Sequence, residues 1–398
     1  MSAYWPPFEN TYKKFTCDKE LLTKFKSDSF FWREKMKRYI FAEQVILDEY
    51  KYIFLCGSHY TTRNKKDKRN ILRDFLKKKS LSYCPIILED NFIFKKSQSR
   101  FLLYDDIFMK NLYQVEMVMN YLSDNNIIIH ESISTGAETG LFLSEESSVN
   151  KTCLLIPDEM AIEDNKLGQF IRLAFLRKPK AVEVIKFYPR IEKNIISNDV
   201  RYWHTYFWKD RVGTNLGNKI ISFLEKEDTN HKIKFTRKKE KVKQGFIHYK
   251  KNKNMLLITL VPRVLSSCIA TIFNINELSR KVFNTEEREL KEYIKDIKEC
   301  LLKVFIQTIE EKTGDDFESC RINIEMNASR VYISGVIGMI LYLFQAAGFI
   351  EIVKAEDYVE SNKVKIKKKM IMYDDGIRHF FYEKYKNCIK CAIDTQIV

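Results

Sequence analysis

The chain has 398 residues, 45% of them hydrophobic, and 68 basic residues against 53 acidic ones leave a net charge of +15. That length exceeds what one hydrophobic core organises, so two or three domains are expected, and the hydrophobic content supports true cores. The most apolar window, Met255 to Val261, meets Pro262 and Arg263 too soon to cross a bilayer.

The amino terminus, M-S-A-Y-W-P-P-F-E-N, lacks the basic start and apolar run of a signal peptide, which points to a cytoplasmic protein. Nine cysteines are scattered at positions such as Cys56, Cys84, Cys153 and Cys268, as reduced cytosolic cysteines are. Cys388 and Cys391 form a C-x-x-C pair with no two further ligands near in sequence, so they read as side chains of a terminal helix; no metal and no cofactor are expected. The lysine excess has two readings: codon bias in an AT-rich genome, or a surface that meets nucleic acid.

Residues 1–49 form an amino-terminal extension with a helix expected over Phe30–Phe41, a lid or docking segment without a chemical motif. From residue 50 the pattern becomes short apolar runs, Tyr52–Cys56, Pro85–Leu88, Ile127–Ile129, Thr152–Ile156 and Ala181–Phe187, separated by helical stretches at Asn70–Lys78 and Asn111–Leu122. Uninterrupted apolar runs indicate strands buried on both faces, so residues 50–190 are expected to form a doubly wound α/β domain on a parallel five-stranded sheet. Residues 191–275 form a connecting region with an aromatic cluster, Arg201–Trp208, that reads as core or as a base-stacking patch. They also hold a lysine run, Lys238–Lys243, that reads as a solvated loop, and a hairpin over Phe246–Val261. Residues 276–398 read as a long helix over Glu277–Thr313 and a second over Ser329–Gly348. A hairpin follows, formed by Ile350–Lys354 and Lys363–Met372, and together these are the ingredients of a winged-helix module. Lys363, Lys365, Lys367, Lys368 and Lys369 would meet phosphates through the wing, or would simply block pairing at a solvated sheet edge.

In open α/β sheets the ligand crevice lies beyond the carboxyl ends of the strands. After the first strand comes Cys56-Gly57-Ser58-His59, where a glycine admits an anion close to backbone N–H groups, or only makes a tight turn. After the second come Glu89 and Asp90, acceptors for ribose hydroxyls or plain helix-start acids. Glu116 lies in the helix before the third strand, exposed or facing the crevice. The third strand leads into Ser132-Ile133-Ser134-Thr135-Gly136 and then Glu138, between glycines at 136 and 140. The T-x-x-E spacing of Thr135 and Glu138 is that of a capping box, which leaves the small-residue company unexplained. Small residues there let a ligand come close, and a glutamate in the first helical turn is favoured as the carboxylate. A carboxylate so placed suits attack on, or support of, a sugar carbon with oxocarbenium character.

The series I-F-L-C-G-S at 53–58, I-L-E-D at 87–90, Glu116, and I-I-H-E-S-I-S-T-G-A-E-T-G-L-F at 128–142 resembles the nucleoside 2-deoxyribosyltransferase-like domain. The nearest likeness is to its versions in bacterial anti-phage effectors encoded beside retron reverse transcriptases. The resemblance covers roughly residues 50 to 160 and implies that Glu138 is the catalytic glutamate, with Cys56, Gly57, Ser58, Ser132, Ser134 and Gly136 in substrate-binding loops. It implies hydrolysis of NAD, here a substrate and not a cofactor, with nicotinamide release. It further implies control by the reverse transcriptase with its msDNA and noncoding RNA, and leaves a higher-order oligomer open. Where the family has a proline-glycine-serine loop, this chain has Ile133-Ser134-Thr135-Gly136. A deoxyribosyltransferase or hydrolase acting on another base, and a nucleotide-sensing DNA-binding regulator without activity, are the competing readings.

Overall fold

The computed structural model describes residues 37–46, 50–57, 67–91, 104–144, 146–157, 182–187, 207–208, 211–226, 231–237, 246–283, 286–317, 320–326, 331–354, 363–369, 382 and 385–393. The strands are β1 (Lys37–Phe41), β2 (Gln44–Ile46), β3 (Lys51–Cys56), β4 (Tyr83–Ile86), β5 (Asn125–Ile129), β6 (Thr152–Pro157), β7 (Glu183–Phe187), β8 (Phe207–Trp208) and β9 (Arg211–Val212). They continue with β10 (His231–Arg237), β11 (Phe246–Asn252), β12 (Met255–Leu260), β13 (Arg288–Glu289), β14 (Arg321–Met326), β15 (Ile350–Lys354), β16 (Lys363–Lys368) and β17 (Ile389–Ile393). The helices are α1 (Lys68–Lys79), α2 (Leu88–Asn91), α3 (Leu112–Leu122), α4 (Ile133–Leu143), α5 (Glu146–Val149), α6 (Thr214–Leu224), α7 (Pro262–Asn274), α8 (Asn276–Val282), α9 (Leu290–Thr313) and α10 (Ile333–Ala346).

All five apolar runs form strands of one parallel sheet in the order β4-β3-β5-β6-β7. Their residues are buried on both faces because helices cover both. Ile53, Leu55, Ile127 and Ile129 pack with α1 and α6 through Leu72, Leu76 and Ile220. Tyr52, Phe54, Cys56 and Ile128 pack with α3 and α4 through Val118, Met119 and Phe142. The order reverses between β3 and β5, and in open α/β sheets the crevice outside the carboxyl ends at such a point is where ligands bind.

The second core continues without a break into the carboxy-terminal half, where α7, α9 and α10 bury Phe273, Phe305 and Phe344. A mixed five-stranded sheet, β14-β12-β11-β10-β2, lies in this half. Its β11 and β12 are the hairpin expected over Phe246–Val261, closed at Lys253 with φ 45°. Of the aromatic cluster, Phe207 is core, edge-on to Phe187 at 5.2 Å, while residues 201–206 and Lys238–Lys243 lie outside the described residues.

Three expectations change. Residues 37–41, the described part of the helix expected over Phe30–Phe41, form a strand instead. Tyr39 and Phe41 alternate inward, their N–H groups donate to Gln307 Oε1 and Thr308 Oγ1 on α9, and β17 pairs alongside. Cys391 accordingly lies on strand β17 and not on a terminal helix. The helix expected over Glu277–Thr313 is broken into α8, the short strand β13 and α9. Arg288 forms the break: its guanidinium holds Asp296 at 2.6 Å and the carbonyl of Lys281 at 3.0 Å.

The carboxy-terminal hairpin is present as β15 and β16, and β13 completes an antiparallel sheet ordered β13-β16-β15. The helix before it, α10, is apolar on nearly every face and buried from Gly335 to Phe344, as such a sequence requires. It carries a notch: a Cβ at Gly338 would stand 2.7 Å from Ile107 Cβ, so only glycine lets the 104–109 segment seat against it. No helix among the described residues is long and apolar enough to cross a membrane.

Candidate active site

Cys56 ends β3 with its thiol fully buried, and Gly57 follows. The space beside Gly57 is filled from within the protein: a Cβ there would meet Arg69 Cδ at 3.0 Å and Nε at 3.2 Å. Arg69, 2% exposed at the start of α1, donates from Nη1 to Glu89 Oε1 at 2.7 Å, and its Nε lies 3.6 Å from Asp67 Oδ1. Gly57 is therefore glycine because the arginine stem crosses it, and Glu89 is engaged by that arginine. Ser58 and His59 lie outside the described residues, and of Asp90 only the backbone, in α2, is described.

The loop after β5 is shaped by its hydroxyls. Ser132 caps α4: its Oγ accepts from Thr135 N at 3.3 Å, while Thr135 Oγ1 accepts from Ser132 N at 3.0 Å and donates to Ser132 O at 2.7 Å. The capping box is thus Ser132 with Thr135, and not Thr135 with Glu138. Ser134 is exposed and its Oγ meets Ser132 Oγ at 2.8 Å; Gly136 N donates to Ser132 O in the first turn. Beside Gly140 there is open space: a Cβ would meet nothing within 4 Å.

With α4 beginning at Ile133, Glu138 falls in the second turn, where the helix dipole has faded. The expectation of a dipole-held carboxylate is corrected accordingly. Burial first, and then the negative charges of Glu116 and Glu89 against the opposing Arg69, push the Glu138 carboxyl up to about 8. Its Oε2 is buried with no hydrogen-bond partner among the described residues. Glu116 on α3 is raised to about 7, by burial and then by Glu89. All three carboxylates and Arg69 act on the buried Cys56 thiol, which burial holds far above the thiolate range and so keeps inert.

The fold thus brings together Cys56, Gly57, Glu89, Glu116 and Glu138 at the carboxyl end of the sheet, with Ser132, Ser134 and Gly136 on the rim. Arg69 and His130 were not foreseen. Arg69 is one cation in a basic stretch, Lys65-Lys66-Asp67-Lys68-Arg69, and nothing in its sequence position separates it from the others. His130 follows β5, is buried with Nδ1 lacking a hydrogen bond among the described residues, and is held below its ordinary range by desolvation.

The lysines of the hairpin lie apart from this crevice. Lys363 and Lys367 are exposed and Lys365 half-buried, whereas Lys368 turns inward with Val364 and Ile366. Its ammonium donates to the carbonyl of Phe273 at 3.2 Å and stands 4.3 Å above the Tyr382 ring, so it cannot serve the wing as expected. Lys369 is half-buried beyond the strand end.

No curated protein matches the chain. Residues 65–351, more than half of its length and including Arg69, Glu89, Glu116 and Glu138, match a family model described as STM3845 retron effector protein. The chain therefore belongs to the STM3845 retron effector family.

Proposed function

We propose that this retron effector is an anti-phage toxin that hydrolyses the N-glycosidic bond of NAD and releases nicotinamide, with Glu138 meeting the anomeric carbon. The observation that carries the reading is Glu138, whose Oε2 is buried with no hydrogen bond among the described residues, in a crevice with two further carboxylates and one guanidinium. Such a crevice is short of positive charge, and the pyridinium ring of NAD supplies one. Entry of that cation lowers the Glu138 pKa through the same Coulomb interaction that Glu116 and Glu89 use to raise it, so substrate restores the carboxylate. The carboxylate then attacks or electrostatically supports C1 of the ribose as the C–N bond breaks, and nicotinamide leaves neutral with the electron pair of that bond. Water adds to C1, displacing the Glu138 carboxylate with its electron pair where the two had bonded, and gives one proton to a carboxylate, leaving ADP-ribose. In this reading Ser132 and Ser134 on the rim would donate to ribose or phosphate oxygens.

A second reading has its own support. A Glu116 carboxyl raised to about 7 still carries protons at neutral pH and can donate one to a leaving base. Such a donor suits a nucleoside or nucleotide whose base departs only when protonated.

As a retron effector it would be held in check by the reverse transcriptase and its msDNA. The sheet β13-β16-β15, with β13 between α8 and α9 and the hairpin after α10, supports a winged-helix-like module, but the buried α10 leaves the solvent face of the hairpin, with Lys363, Lys365 and Lys367, to meet phosphates. The reaction is tested by nicotinamide release from NAD by the wild type and by Glu138→Gln, alone and with the neighbouring reverse transcriptase and noncoding RNA. Release that Glu138→Gln abolishes is expected; full release by that variant would remove Glu138 from the chemistry, and base release only from other nucleosides would select the second reading.

A further inference from the structure

Five large hydrophobic side chains are exposed among the described residues, and four of them lie on two segments that meet at Gly335. Phe108, Leu112, Tyr113 and Tyr332 are 41%, 45%, 49% and 55% exposed. The first three lie within six residues of one another, where the 104–109 segment enters α3. Tyr332 precedes α10 by one residue, and the Phe108 carbonyl lies against Gly335, one helical turn further on.

Phe108 is held at φ 57°, a left-handed conformation that a bulky side chain adopts only under constraint. Its neighbours supply the constraint: Ile107 is fully buried against Gly338, and Met109 is buried beside Gly335. Between two anchored residues the backbone turns the Phe108 ring out to water. Glycine would take this conformation without strain, so phenylalanine stands here against the backbone preference.

Ammonium groups border the rings. Lys291 Nζ stands 5.9 Å from the Phe108 centroid, Lys110 is exposed two residues beyond, and Lys295 is exposed one turn along α9. The cores of protein–protein interfaces are depleted of lysine, whereas aromatic faces interleaved with cations are how single strands are held. A duplex hides its bases and could use only the cations.

We propose that this surface docks single-stranded nucleic acid, with Phe108, Tyr113 and Tyr332 as stacking faces and Lys110 and Lys291 meeting phosphates. The inference is independent of the reaction at Glu138; its Lys291 lies two residues beyond Glu289, which pairs with Lys363 of the hairpin. Because the segment that carries Phe108 leads directly into α3, a bound strand would sit on the element that presents Glu116.

The test is fluorescence anisotropy of a labelled oligodeoxythymidylate, and in parallel an oligouridylate, of about twenty nucleotides with the full-length protein, which spans the several bases a stacking surface holds. Phe108→Gly is expected to weaken binding roughly tenfold, Phe108→Trp to keep it, and Tyr113→Ala to weaken it similarly. The oligouridylate arm tells a DNA strand from an RNA strand. Phe108→Gly should melt no lower than the wild type, since the strain is relieved while the ring is lost. Absence of wild-type binding to both oligonucleotides, equal competition by duplex, or unchanged binding by Phe108→Gly would overturn the proposal. So would a lowered melting temperature in that variant, which makes the ring structural, or a change in oligomeric state with oligonucleotide binding intact, which makes the surface a protein interface.

Discussion

At the amino ends of β5 and β6 a set of buried polar side chains closes on itself, whereas at the carboxyl ends of β3 and β5 the Glu138 Oε2 and His130 Nδ1 atoms are buried with no hydrogen bond among the described residues. In the first region Asn126 donates to Asn120 Oδ1 at 2.6 Å and to Thr152 Oγ1 at 3.2 Å. Ser123 donates to Asn126 Oδ1 at 2.6 Å, and Asn120 to Ser148 at 2.9 Å. The Lys151 ammonium covers the carbonyls of Asn120 and Ser123. Asp124 beside them accepts from Tyr52 N at 2.7 Å and Arg263 Nε at 3.1 Å, which ties α7 to the sheet. A buried polar atom without a hydrogen bond calls for an explanation, and for Glu138 Oε2 and His130 Nδ1 a ligand in the crevice would supply one. The proposed function assigns the first region to stability and the second to a ligand.

The largest test of that difference is Glu138→Gln, which is expected to lower glycosidic cleavage on the order of a thousandfold, as loss of a transition-state charge partner does. The same change should stabilise the fold. The Glu138 pKa of about 8 in the folded protein lies above its ordinary 4.5, so between those values the folded chain keeps a proton that the unfolded chain has lost. Stability conferred by that proton is present below about 4.5 and is lost as pH rises through about 8. Glutamine never ionises, so thermal melts of the variant should match wild type near pH 4.5 and exceed it above pH 8 by on the order of 2 to 4 kcal/mol. Wild-type kcat/KM, if the carboxylate is the acting form of the free enzyme, should rise with pH through the same upper range. A variant less stable than wild type at pH 8 would show that the carboxylate is structural and break the contrast.

At the amino end the sign reverses. Arg263→Met takes the guanidinium from the buried Asp124, and removing one partner of a buried pair costs about 3 to 5 kcal/mol. Urea unfolding at neutral pH reads this directly, and a cost below about 1 kcal/mol would place the pair among solvated surface bridges. Asn126→Ala takes a donor from Asn120 Oδ1 and one of the hydrogen bonds of Ser123 and of Thr152, and should cost about 1 to 3 kcal/mol, equally at pH 5 and pH 8, because none of these groups titrates.

Most of the sheet was legible because burial on both faces writes an unbroken apolar run, as in Thr152–Ile156, and Glu138 stood out through its small neighbours. The errors have a shared cause, which is tertiary contact between distant segments. Lys37–Phe41 reads as helix until β17 and α9 are placed beside it, and Glu277–Thr313 reads as one helix because the Arg288–Asp296 pair that breaks it is invisible in periodicity. Lys368 looked like its neighbours on the wing, although strand alternation with Val364 and Ile366 already placed it on the inner face. Arg69 could not have been found: its role follows from the crossing over Gly57, a contact between residues twelve apart that no local pattern records.

The smallest expected effect concerns a paired group at the ligand end. Lys68 at the start of α1 bridges to Glu131 in the loop before α4 and lies 5.4 Å from the Phe187 ring centroid. Both charged side chains keep 24% of their surface in water, so solvent already does much of what the pair does. Lys68→Met should change stability by about 1 kcal/mol or less, and raising the salt concentration should shrink even that difference. A cost of several kcal/mol would mean that ion pairing holds the carboxyl end together as it does the amino end through Arg263. The unsatisfied Glu138 would then be a local gap in an otherwise stabilised region, and not the mark of an end left open for a ligand.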